Sequence, residues 1–154
     1  MWKTVRYLFV LLGLCTLATC PVAKRACDQQ NRSREAATML AYLDHRLRMM
    51  AANGQPWPTT SAPMTPARGS CCEQGGQCAT DPSQWTHATW RTLRFEIPAA
   101  HFFSYEYVAM PDGSVVLRAT GDSDCNGTAA IYERILTLSG RVVSASSRAE
   151  HSGE

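Results

Sequence analysis

The chain reads as an α+β domain, with a long N-terminal helix packed on a small antiparallel β-sheet. Three observations predict it. Between Ser33 and Ala52 the apolar residues recur at threes and fours, the spacing of a helix that buries one stripe. From His101 onward the period changes to two, the mark of half-buried strands. Pro111-Asp112-Gly113 and Ser139-Gly140 punctuate that second half as turns, giving a meander that one helix can cover.

The helical stripe is Ala36, Leu40, Leu43, Leu47 and Met50, with Arg, Asp and Glu between them. Asn53-Gly54 and then Pro56 end it, because Gly accepts the left-handed cap conformation and Pro cannot continue the hydrogen-bond ladder. Upstream, Lys24 to Arg32 is polar but free of breakers, so the helix is expected to run back to Pro21. At ~1.5 Å per residue it would then exceed about 40 Å. Gln55 to Arg68 holds four prolines (Pro56, Pro58, Pro63, Pro66) and is expected to be an extended connector with no strand. Gly69 to Pro82 is a Gly-rich, cysteine-bearing loop that needs a staple to hold a shape. Trp85 and Trp90 lead from it to Leu93 and Phe95.

In the first strand, His101 to Met110, Phe103, Tyr105, Tyr107 and Ala109 share one face while Ser104 and Glu106 point the other way. Ser114 to Thr120 returns, Ala130 to Leu138 forms a third strand, and Arg141 to Val143 adds a short last one. The Ser-rich, charged residues 144–154 are expected to be a flexible tail. The organisation is thus 1–23 signal or anchor segment, 24–143 globular domain and 144–154 tail.

A chain of 154 residues has room for one domain with a modest core. The formal charge of +2 is too weak, and the basic residues too scattered, for a nucleic-acid footprint. At the N-terminus Lys3 and Arg6 precede an apolar run from Tyr7 to about Cys20, the length of a signal-peptide core and short of a full span of ~20 residues. Three fates are open to it: cleavage, lipidation at Cys20 after a lipobox-like Leu17-Ala18-Thr19, or retention as an anchor. All three place the globular part outside the cytoplasm, in the periplasm or beyond the cell, and lipidation or retention would attach it to the inner membrane or envelope.

Seven cysteines suit such an oxidising compartment. Cys15 and Cys20 lie in the apolar run, which leaves Cys27, Cys71, Cys72, Cys78 and Cys125. Cys71 and Cys72 are expected to bridge outward to Cys78 and Cys125, in one order or the other. A Cys₄ zinc site from the same residues is the rival, though vicinal cysteines and a five-residue gap suit zinc poorly.

Residues Asp122 to Glu133, D-S-D-C-N-G-T-A-A-I-Y-E, satisfy the fixed positions of an EF-hand calcium loop. Asp122, Asp124 and Asn126 alternate so that their oxygens can converge, Thr128 would offer its carbonyl, and Glu133 could close the shell. The segment before the loop is strand-like, however, and an EF-hand needs flanking helices. An Asx-rich turn without metal is the competing reading. For catalysis the sequence offers little: His45, His87, His101 and His151 lack metal-type spacing, and no Ser sits in a nucleophile elbow. The chain is expected not to be an enzyme.

The order of parts resembles the type IV pilins and pseudopilins, most of all the pilin-like proteins of myxobacteria and their relatives. The residues that carry the likeness are S-C-C-E-Q-G-G-Q-C (Ser70 to Cys78), Trp90, Leu93 and Phe95, F-S-Y-E-Y (Phe103 to Tyr107), G-D-S-D-C-N-G (Gly121 to Gly127) and Tyr132-Glu133-Arg134. The usual prepilin leader, with its Gly cleavage site and Phe-Thr-Leu-Ile-Glu start, is not found between Met1 and Pro21. The resemblance implies a structural or accessory subunit of a type IV pilus or type II secretion-like assembly. Its partners would be envelope or pilus and secretion-system proteins, and calcium is bound in the comparable loop of some pseudopilins. A stand-alone exported calcium- or ligand-binding domain is the alternative.

Overall fold

The computed structural model describes residues 32–151, of which those from Ser33 onward belong to one compact unit. Helix α1 spans 32–52. Its stripe of Ala36, Leu40, Leu43, Leu47 and Met50 is buried, each residue at most 7% exposed. Gly54 takes φ +68, and the amides of Gly54 and Gln55 donate to the carbonyls of Ala51 and Met50, which satisfies the helix end as a left-handed cap should. Trp57 Nε1 donates to the Leu47 carbonyl at 2.8 Å and folds the connector back along the helix.

Five strands follow: β1 (Ala62–Thr65), β2 (Ser104–Ala109), β3 (Val115–Gly121), β4 (Ala130–Ser139) and β5 (Val142–Glu150). They form one antiparallel sheet in sequence order. Between β1 and β2 lie two short helices, α2 (Ser70–Glu73) and α3 (Ala88–Leu93), and a 3₁₀ turn at Pro82–Trp85.

The architecture is the α+β arrangement expected, with two differences in detail. The proline-rich connector contains β1, whose Pro63 is tolerated because β1 is an edge strand and needs no ladder on its outer side. The residues expected to form a tail are in fact β5 as far as Glu150, paired with β4 from Val142↔Ser139 to Glu150↔Ile131. A Ser-rich composition reads as disorder, but a tight turn at Gly140 (φ +62) delivers β5 in register with a long neighbour, and the ladder satisfies its backbone. The apolar run Tyr7 to Cys20 and the helix extension toward Pro21 lie outside the described residues. Among the described residues no helix is long and apolar enough to cross a membrane.

The core lies on the face of the sheet turned to α1. Leu43 and Leu47 join Trp90, Leu93, Tyr105, Tyr107, Leu117 and Leu136 in one cluster. Trp85, Trp90, Phe95 and Tyr105 pack ring against ring, with Phe95 5.2 Å from each Trp and 5.5 Å from Tyr105. Such pairs each add ~0.5–1.5 kcal/mol beyond their buried area. The period-two aromatics of β2 point into this cluster, whereas Ser104 and Glu106 take the opposite face.

Candidate functional site

At one end of the sheet the cysteines tie three segments together. Cys71 bonds to Cys78, and Cys72 bonds to Cys125. The expected four cysteines therefore pair among themselves in this order. The first bond closes a short turn around α2; the second ties that turn to the β3–β4 hairpin across a separation of 53 residues. In the chain-entropy model a loop that long contributes about 4 kcal/mol, and the short one about 2.5 kcal/mol. Cys78 is further fixed by two backbone hydrogen bonds with His101, at 2.8 and 3.1 Å. Gly76 (φ +96) brings its backbone against the hairpin, where an added Cβ would lie 3.7 Å from the Ser123 carbonyl.

The hairpin loop holds three of the five candidate cation ligands in one turn, but their side chains fold inward onto the loop's own backbone. Asp122 accepts from the amides of Asn126 (3.1 Å) and Gly127 (2.8 Å). Asp124 accepts from the amide and the side-chain Nδ2 of Asn126 at 3.3 and 3.0 Å. Asn126 Oδ1 accepts from the Thr128 amide at 2.7 Å. This is a nest of Asx turns, the side-chain mimic of a backbone turn. Glu133 lies in β4, on the sheet's open face, with Oε1 2.7 Å from Arg118 Nε, so the structure does not bring it to the other four. Among the described residues no group of three His, Cys, Asp or Glu side chains is placed to hold a metal ion. The donor set as arranged is thus a turn; a cation there would have to displace amides from Asp122 and Asp124.

Three features escape the sequence reading. The first is the half-buried carboxylate of Glu35 on α1. It accepts from the Phe102 and Phe103 amides at 3.0–3.3 Å and from the Tyr105 hydroxyl at 3.1 Å, pinning the start of β2 to the helix. Burial raises its carboxyl above the ordinary value, against those hydrogen bonds. The second is His101, 1% exposed, whose Nδ1 meets the Ala99 carbonyl at 3.1 Å while Nε2 has no partner among the described residues. The third is a row of charges across the open face, Glu106, Arg118, Glu133 and Arg148, which sit opposite one another on successive strands. Arg118 bridges Glu106 at 2.5 Å and Glu133 at 2.7 Å, and these partners hold its guanidinium proton more tightly than usual. Period-two spacing predicts that Glu106 faces outward, but the cross-strand register that makes a row is set by the turns.

Two shallow grooves flank the core. One, about 260 Å³, lies between α1 (Ala37, Leu40) and the β4–β5 edge (Tyr132, Arg134, Ser147, Ala149). The other, about 310 Å³, lies between Trp57, Pro58 and the β2–β3 turn. Of the remaining histidines, His45 is exposed on α1, His87 caps α3 by accepting from the Thr89 amide, and His151 is exposed just past β5.

Compared with family models, with curated proteins and with solved structures, the chain gives no match in any of the three.

Proposed function

We propose that the protein is a non-enzymatic, exported, pilin-like protein, a structural or accessory subunit of a type IV pilus or type II secretion-like envelope assembly. The observation that carries this reading is one amphipathic helix seated on an antiparallel meander, with a cysteine-bearing loop closed by one disulfide and tied to the β3–β4 hairpin by a second. Disulfides of this kind belong to an oxidising compartment. The apolar run Tyr7 to Cys20 supplies the route there and the means of staying attached. In this role the open sheet face and the stapled hairpin are the surfaces left for envelope or secretion-system partners. Fractionation of cells expressing the tagged full chain, followed by cross-linking and pull-down, tests the proposal. Recovery with the membrane and with pilus or secretion components is the expected result; a wholly soluble cytosolic protein overturns it.

A second reading, a stand-alone exported calcium- or ligand-binding domain, is favoured by the gathering of Asp122, Asp124 and Asn126 in one exposed turn. A calcium site there predicts a thermal midpoint that rises with millimolar Ca²⁺ and loses that rise in Asp122→Ala. A midpoint indifferent to Ca²⁺ or chelator leaves the loop as an Asx turn alone.

A further inference from the structure

The tip of the β3–β4 hairpin carries chemistry that the pilin-like reading does not use. Asn126-Gly127-Thr128 is an Asn-x-Thr triplet with no proline at its centre, the acceptor pattern for N-linked glycan transfer. We propose that Asn126 is a glycan acceptor, its amide Nδ2 taking a sugar from a lipid-diphosphate-linked oligosaccharide.

The acceptor end of the triplet is exposed. Asn126 and Gly127 are solvent-exposed in the loop between β3 and β4, and nothing lies within 4 Å of where a Cβ on Gly127 would stand. The acceptor side chain is also oriented. Asn126 Oδ1 is held by the Thr128 amide at 2.7 Å, and one Nδ2 hydrogen is held by Asp124 Oδ2 at 3.0 Å. The second Nδ2 hydrogen has no partner among the described residues. The nucleophile is therefore presented with its carbonyl polarised by an N–H, its nitrogen beside a carboxylate, and a hydroxyl residue two positions on. The Cys72–Cys125 bond fixes the residue just before it, so the presentation persists in the folded domain.

The transfer balances without an oxidant or reductant. A bond forms between Nδ2 and the anomeric carbon, the bond from that carbon to the diphosphate oxygen breaks, and the lipid diphosphate leaves. The Nδ2 proton departs through the Asp124 carboxylate that already accepts it. A glycan at this position would project from the hairpin tip, away from the helix-covered core.

The test is expression of the full chain, with its own N-terminus, in a host that carries N-linked glycosylation, beside a reporter with a known acceptor. Intact glycopeptide masses locate the modification, since a gain of one mass unit alone is also given by deamidation of Asn126-Gly127. The expected result is a glycan on the Asn126 peptide that is lost in Asn126→Gln and Thr128→Ala and retained in Thr128→Ser. Thr128→Ala keeps the backbone amide that holds Asn126, so its loss of glycan is not a failure to fold. A second triplet, Asn31-Arg32-Ser33, has its acceptor outside the described residues, and Asn31→Gln is expected to leave the Asn126 glycan in place. An unmodified Asn126 in exported chain, in a host that modifies the reporter, overturns the proposal, as does a glycan that survives Asn126→Gln and disappears in Asn31→Gln. Fractionation of the same cells shows whether the chain was exported, which separates failure of this proposal from failure of the export reading.

Discussion

At one level of the sheet the helix-covered face carries Tyr107, Leu117 and Arg134 on β2, β3 and β4; at the next level the open face carries Glu106, Arg118 and Glu133. Each face contains one charge held between two of opposite sign. On the covered side Asp44 of α1 lies between Arg48 (2.6 Å) and Arg134 (3.1 Å), its side chain 11% exposed. On the open side Arg118 lies between Glu106 and Glu133, 33% exposed. The geometry is similar and the placement of the water is not: the central charge is the better hidden on the covered side, while its partners Arg48 and Arg134 keep more exposure (42% and 30%) than Glu106 and Glu133 do (24% and 18%). A charge taken out of water depends on its partners, so losing one partner is costly; a charge still wetted is screened and gives little. The covered face holds the fold together, and the open face is comparatively free to vary.

The largest expected effect comes from two neighbours on β3. Leu117 is fully buried, so Leu117→Ala should cost about 2–5 kcal/mol through lost transfer energy and the cavity left behind. Val116 faces the open side and is only partly covered, and Val116→Ala should cost less than about 1 kcal/mol. Chemical denaturation of the two variants measures the asymmetry directly. Equal losses would mean that something covers the open face in solution.

Next comes Asp44. Asp44→Ala strands two arginines that point at one spot and should cost about 2 kcal/mol, less than the ~3–5 kcal/mol of a fully buried pair because Arg48 and Arg134 keep part of their hydration. A cost no larger than that of an exposed ion pair would break the comparison between the faces.

Glu35 sharpens it through pH. Burial, the largest influence, raises its carboxyl above the ordinary 4.5. A raised folded-state value means that the fold holds the proton more tightly than the unfolded chain does. The stability this contributes is fully present below about pH 4.5 and is lost as pH rises through the folded value. Relative to Glu35→Gln, which has no proton to lose, the wild type should therefore lose stability as pH rises from 4.5. Denaturant melts of both proteins, at steps of about one unit from about pH 4 to about pH 7, read the difference. Parallel curves would show that the folded and unfolded carboxyls titrate alike.

The covered face was largely legible in the sequence because one chemistry, burial, writes a periodic signal. The stripe from Ala36 to Met50 and the alternation of Phe103, Tyr105 and Tyr107 both lie where their periods place them. Long-range geometry leaves no such mark. β5 was legible only at its start, Val142 and Val143, because the Ser, Ala and Arg that follow carry no strand signature and only the ladder with β4 extends it to Glu150. Glu35 reads as a surface residue until Phe102, some 67 residues away, brings its amide to it. In the hairpin loop the alternation of Asp122, Asp124 and Asn126 marks a turn, and their side chains bond to the loop's own amides; the register that sends Glu133 to Arg118 leaves no mark in the sequence.

The smallest effect belongs to the open-face row. Arg118→Ala leaves Glu106 and Glu133 on neighbouring strands without the cation between them, a mild repulsion in a wetted setting. The expected cost is about 1 kcal/mol or less. It should also shrink with added salt, because both carboxylates are half-buried groups that still reach solvent and the Debye length falls from ~10 Å at 0.1 M to ~3 Å at 1 M. The Asp44→Ala cost should change less over the same range, since Asp44 itself is only 11% exposed. Melting both variants and the wild type at low and high salt therefore compares the two triads in one experiment. If Arg118→Ala proves the more damaging, or the less salt-sensitive, the row is not a solvated face. It would then be expected to lie beneath a partner that keeps water from it, and the charge row would mark that interface.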